Sequence, residues 1–266
     1  MLKKPAFIAT VLGVVIFSAI YFGLDTKPSE QRSLEKSRVS NLEATGIQNI
    51  LTSARDSLSK EQLNYLEALN EEVRSSLDDS LKMANLKRLS GVWYEQGFPI
   101  LSGYYAEEIA KLSNTHEAWS VAGTTYILGM REAKVEDQRQ FSRSRAIRAL
   151  ESAISIEPDN VSDQINLALI YVEAPDKNPM QGILMLRDLN EKYPNSVQVL
   201  NQLGRLAIQT NQSAKALERL TRSFEIDSEN RNTICLLATA YKQAGDSANA
   251  SKFQIMCENI LKNNKK

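Results

Sequence analysis

A single histidine, two cysteines and a few adjacent carboxylates are the groups in this chain with the chemistry for catalysis, redox or metal binding. His116 follows Asn114 and Thr115, residue types that start helices, so it reads as a helix-start residue and not as a general base. Cys235 and Cys257 are too few for a disulfide framework or a multi-cysteine metal cage. Glu107 with Glu108, and Glu136 with Asp137, would have to do acid–base work without histidine, and such charge runs are ordinarily solvated faces. The G-x-x-x-x-G-K-[ST], G-x-G-x-x-G, H-E-x-x-H and G-x-S-x-G patterns do not occur. The expectation is a chain that is not an enzyme, with no catalytic residue, no cofactor and no metal. Lys plus Arg and Asp plus Glu are equal at 32 each, so no net charge draws the chain to nucleic acid.

With little reactive chemistry, function must come from the elements that place side chains. "MLKK" precedes twenty uncharged residues, "PAFIATVLGVVIFSAIYFGL", from Pro5 to Leu24. A helix of that length spans about 30 Å, the thickness of a bilayer core. Cleavage after Ala19 or Gly23 would put Phe17 or Tyr21 where a small residue is needed, so residues 1–24 read as an uncleaved transmembrane anchor. Lys3 and Lys4 predict a cytoplasmic N-terminus for a single-pass protein with the rest sent across the membrane, which in a bacterial inner membrane is the periplasmic side. Lys27, Arg32, Lys36 and Arg38 on the other side oppose that orientation. Residues 25–42 read as a polar juxtamembrane linker. Over 43–80 a first helix holds Ile47, Ile50, Leu51 and Leu58. A second, through Leu63, Leu66, Leu69, Val73, Leu77 and Leu81, opens with a Ser59/Gln62 capping box.

Beyond that region the chain repeats itself. In "WSVAGTTY", Trp119, Ala122, Gly123 and Tyr126 fall on one helix face. Glycine in a helix costs roughly 1 kcal/mol against alanine, so Gly123 marks a close approach of another helix. Ala146, Leu150 and Ala153 follow, then Pro158. The order resembles the tetratricopeptide repeat, W-x2-L-G-x2-Y followed by A-x3-F-x2-A and proline, with Ala146 as the small residue facing Gly123. Further copies carry Gln164, Leu167, Ala168 and Tyr171 with Gly182, Leu186, Leu189 and Pro194, then Leu200, Leu203, Gly204 and Ala207 with Ala216, Leu220 and Ser223. The last carries Ile234, Leu237, Ala238 and Tyr241 with Ala250, Gln254 and Cys257. Ala207, Gln254 and Ser228 depart from the usual tyrosine, aromatic and proline. A degenerate copy is expected over 81–115, with Gly91, Tyr94, Gly103 and Ala110 in matching places and Pro99 opening its second helix. The boundaries are 81–115, 116–160, 161–196, 197–230 and 231–264.

The resemblance implies an all-α, right-handed superhelical solenoid of antiparallel helix pairs whose concave groove binds a protein or peptide. The groove-lining places, carried over by position, put Gln198, Asn201, Arg205, Gln209, Thr239, Lys242 and Gln243 at a partner-binding face. Arg205 and Lys242 there are candidates for holding a carboxylate. The lysine and asparagine pair with which some relatives clamp acidic chaperone tails is replaced by Ser120 and Thr124, Ile165 and Leu169, or Asn201 and Arg205, which disfavours that partner. Cys235, one place past Ile234, is expected to point toward the groove and not to bond Cys257, a buried thiol. Trp119 to Gln164 spans 45 residues, eleven over the repeat period, so an insertion of three helical turns is expected between the two helices. Two more residues lie in "EAPDKNPMQG". The first insertion either forms a binding edge or packs back through Val135 and Phe141. The function expected is a membrane-anchored scaffold binding a protein or peptide by groove or inserted edge. The alternative is a structural envelope protein that forms a homo-oligomer through residues 43–95.

Overall fold

The computed structural model of the chain describes residues 46–174 and 180–263. The expected anchor through residues 5–24 and the linker at 25–42 lie outside the described residues, as does the centre of the "EAPDKNPMQG" segment. Among the described residues the structure is twelve helices and no strand, and none of these helices is long and apolar enough to cross a membrane. The chain divides into two units, 1–52 and 53–266. Described residues 46–52 of the first are helical, within a helix α1 that covers 46–56. All that follows concerns the second unit.

Its helices are α2 Lys60–Arg74, α3 Asp79–Glu95, α4 Pro99–Ser113, α5 His116–Glu132, α6 Glu136–Ile156, α7 Val161–Glu173, α8 Gln181–Lys192, α9 Val197–Gln209, α10 Ser213–Ile226, α11 Arg231–Gln243 and α12 Ser247–Asn263. Each packs on the next in sequence, and α5 with α7, α7 with α9, and α9 with α11 also touch. That pattern stacks hairpins so that their first helices share a face. Thr115, Asn160, Ser196 and Asn230 cap the four first helices, each side chain accepting the backbone N–H three residues on. The Ser59/Gln62 capping box of α2 is present with both of its hydrogen bonds.

Close helix approach occurs at the small residues, with its partner one turn from where the template puts it. A Cβ on Gly123 would lie 2.7 Å from Leu150 Cγ, and one on Gly204 2.6 Å from Leu220 Cγ. The residues nearest these glycines are thus Leu150 and Leu220, not Ala146 and Ala216, and the same offset recurs in both pairs. The eleven extra residues preserve it because they are helical. α5 is one turn longer than α7, α9 and α11, and α6 two turns longer than α10. The extension packs back: Phe141 is buried and Gly129 sits against Ile100, while Arg131 makes a two-pronged pair with Glu173 at 2.7 Å. Val135 stays exposed.

Three expectations of register are corrected. The leucine series through Leu77 and Leu81 is not one helix. Ser75 ends α2, Leu77 is 95% exposed in the turn, and Asp78 caps α3 by accepting from Leu81 N–H. In α3–α4 the repeat is set one residue earlier: Leu86, Leu89, Ser90 and Trp93 face inward at the offsets expected of Gly91 and Tyr94, which are exposed. Ser90, not Gly91, makes the close approach, donating to Ser102 O at 2.9 Å. In α12 the core aromatic is Phe253 rather than position 254. Its ring stacks on Tyr241 at 5.5 Å and meets Phe224 edge-on at 5.4 Å. Pro99 opens α4 as expected, at a position whose N–H has no helical partner.

Candidate functional site

The residues expected to line a groove lie on α9 and α11, and the structure separates them into two groups. Gln198, Gln202, Arg205 and Gln209 recur on α9 at steps of four, three and four, one helix face. Gln198 and Gln209 are exposed, and Gln198 Oε1 accepts from Ser162 Oγ of α7 at 3.2 Å. Arg205 is half-buried, and its Nε is covered without a hydrogen-bond partner. Gln202 Oε1, one turn earlier, is in the same condition. A buried polar atom left unpaired costs roughly 1–3 kcal/mol; Arg205 Nε calls for an acceptor and Gln202 Oε1 for a donor.

Asn201 is corrected from groove residue to core residue. It is buried, its Oδ1 accepts from Ser223 Oγ and Thr233 Oγ1 at 3.0 Å each, and its Nδ2 donates to the capping Asn230 at 3.3 Å. This network joins α9, α10 and α11, so Asn201 fixes one repeat on the next. Gln243 is also engaged: its Nε2 donates to Ile208 O and Asn211 Oδ1, both at 3.0 Å, and closes the end of α9. Thr239 is exposed with its hydroxyl on Cys235 O, and Lys242 is exposed one turn further along α11.

Cys235 and Cys257 form a disulfide, contrary to the sequence expectation. The antiparallel α11 and α12 bring the two Cα atoms to 5.1 Å, within the range that a disulfide bridges. Cys235 lies at the flank of α11 next to its partner helix, not outward in the groove. The bond closes the last hairpin, which has a neighbouring repeat on one side only among the described residues.

Elsewhere, His116 and Glu107, two of the groups with the chemistry for catalysis, make contacts between helices. Asp163, buried at the start of α7, accepts from Ser120 Oγ and pairs with His116 Nε2, both at 2.6 Å. Serine and histidine therefore converge on the carboxylate rather than on each other, and the three tie α5 to α7. Glu107 is buried on α4 and meets Arg145 of α6 at 2.8 Å, Lys111 at 3.0 Å and the Tyr126 hydroxyl at 2.8 Å. Burial alone would raise the Glu107 carboxyl, but Arg145, Lys111 and Tyr126 together hold it below the usual carboxylate range. Burial first, then the Glu107 charge, pushes Tyr126 up.

Sequence reasoning missed Gln202, which no family place marks. Its spacing of three from Arg205 was the available signal. No protein-family model matches the chain, and no curated protein does. Solved structures match in fold. BtubC from P. vanneervenii is 14% identical, aligns over 78% of this chain and 93% of its own, and has a TM-score of 0.51. A tetratricopeptide repeat protein from Parabacteroides merdae is 13% identical over 79% and 77%, with a TM-score of 0.50. The described helices have the tetratricopeptide repeat fold.

Proposed function

We propose that this chain is a scaffold that binds a protein segment carrying a carboxylate along the first-helix face of its repeats, with Arg205 as the charged anchor. The observation that carries this reading is the half-buried Arg205, whose covered Nε has no hydrogen-bond partner, on the helix face that also holds Gln198, Gln202 and Gln209. Arginine offers paired donors to a carboxylate, and the exposed Gln198, Gln209 and Lys242 supply amide and cationic contacts around it. The inserted turns of α5 and α6 are packed back through Phe141 and Arg131, which favours the groove over the inserted edge.

The apolar run at 5–24 supports a single-pass anchor, and tethering raises the effective concentration of a co-localised partner. The Cys235–Cys257 disulfide supports an oxidising compartment such as the periplasm for the repeats. The test is site-specific photocrosslinking from Gln209 of the full chain in native membranes. Crosslinked partners are expected to be lost in Arg205→Glu at unchanged helical content, and an unchanged set refutes the groove.

A second reading, self-association through the first hairpins, is favoured by the exposed Tyr65, Leu77, Leu81 and Tyr94 of α2–α3. Sedimentation of the full chain in mild detergent separates the two. A mass of one chain, unchanged by Tyr65→Lys with Leu77→Lys, removes this second reading.

A further inference from the structure

On the opposite side of α9 from the groove, α8 and α10 both pack on α9, and a cleft of about 260 Å³ lies between them. Lys215, Glu218, Arg219 and Arg222 of α10 line it with Asn190 of α8, over a floor that includes buried Leu200. Lys215, Arg219 and Arg222 stand at i, i+4 and i+7, so one helix face presents all three cations. Their partners are neutral. Lys215 Nζ donates to Gln212 Oε1 at 2.8 Å, Arg219 Nη1 to Leu203 O at 3.2 Å, and Arg222 Nη2 to Asn195 Oδ1 at 3.1 Å. Among the described residues none of the three pairs with a carboxylate, whereas Arg131, Arg145 and Lys192 do. Asn190 Oδ1 is buried in the cleft wall with no partner.

We infer that this cleft binds a phosphoryl group, either inorganic or carried on a small organic body. Three cations against the single Glu218 leave two positive charges in the cleft, which matches the nearly doubly charged phosphoryl group near neutral pH better than it matches a carboxylate. The neutral contacts hold Arg219 and Arg222 in place while leaving their other N–H donors for tetrahedral oxygens, and Lys215 adds a mobile point charge. A half-turn of the Asn190 amide exchanges its unpaired oxygen for two further donors. The cleft is several times the roughly 30 Å³ share of one water, which leaves room for an organic body beside the phosphoryl group. The site is built without Arg205 and stands apart from the groove reading.

Calorimetric titration of the full chain in mild detergent tests it, with inorganic phosphate and phenyl phosphate as probes at low and at physiological chloride. Saturable binding that weakens as chloride rises is expected. Tighter binding of phenyl phosphate assigns a phosphorylated organic ligand, and equal binding assigns the inorganic ion. Arg219→Gln with Arg222→Gln should weaken binding about tenfold or more, and Glu218→Gln should tighten it several-fold, because each changes the net charge of the cleft. The single Arg222→Gln change, at an exposed side chain, gives the same direction should the double variant fail to fold. Arg205→Glu should leave binding unchanged. Absence of saturation by about 10 mM of either probe, or equal binding by Arg222→Gln and the unaltered chain, overturns the inference.

Discussion

Replacing Gly204 by alanine tests whether the repeats are held by close helix approach, because its effect depends on one opposing side chain. A Cβ at 204 would lie 2.6 Å from Cγ and 2.7 Å from Cδ2 of Leu220, against ordinary contacts of 3.4 Å or more. Leu220 is fully buried, so relief requires α9 and α10 to part or Leu220 to leave its rotamer. Overpacking of this kind costs about 1–3 kcal/mol, and alanine returns about 1 kcal/mol of helix propensity, leaving a net loss of about 1 kcal/mol. Leu220→Ala alone opens a cavity and should cost about 3 kcal/mol. In the double variant the new methyl faces that cavity, so the clash disappears and part of the void is filled. The double variant should then lose about 2 kcal/mol where the two single losses add to about 4 kcal/mol, a coupling of roughly 2 kcal/mol. Urea unfolding of the full chain in mild detergent, followed by circular dichroism, reads all four corners of the cycle. Additivity to within about 0.5 kcal/mol refutes the packing argument.

Gly91→Ala should have the opposite sign and stabilise by about 0.5–1 kcal/mol, since beyond its own stretch of helix nothing lies within 4 Å of the new methyl; a raised urea midpoint checks it. Glu107 has a depressed folded-state pKa, so its contribution is present above the unfolded carboxylate value near 4.3 and is lost as pH falls through the lower folded value. Glu107→Gln should cost about 3 kcal/mol at pH 7 by removing the buried carboxylate that Arg145 and Lys111 share, and should flatten stability below about pH 4; unfolding midpoints across pH 2–7 read both effects. Reducing the Cys235–Cys257 bond, or making Cys257→Ser, should lower stability by about 3 kcal/mol, and faster amide exchange in α11 and α12 than in α5 and α6 would place the loss in the last hairpin.

The hairpin array was legible because its signals are local and periodic. Trp119, Gln164, Leu200 and Ile234 announce the first helices, and the eleven-residue excess could be read as three turns because a helix conserves facing over that length. Capping residues at 115, 160, 196 and 230 repeat the same intervals and carried information that the apolar pattern did not. The weakest copy was misread by one residue because Gly91 was given the meaning of Gly123, although only a neighbouring helix tells a packed glycine from an exposed one. Asn201 and Arg205 are both polar residues on α9, four apart, and nothing in their types separates the buried hub of Asn230, Ser223 and Thr233 from the cation left unpaired.

Helix order, repeat period and the small residues at helix crossings follow from the order of side chains, since each depends on contacts within a hairpin or between adjacent hairpins. Which polar groups are consumed by the stack and which remain for a ligand depends on how side chains far apart in sequence meet, 22 residues for the two cysteines and 38 for Glu107 and Arg145. The Cys235–Cys257 bond, the Glu107–Arg145 pair and the cations gathered between α8 and α10 belong to that second class. The helix period sets where a side chain points, but only the packed neighbour decides whether it meets a carboxylate, a sulfur or water.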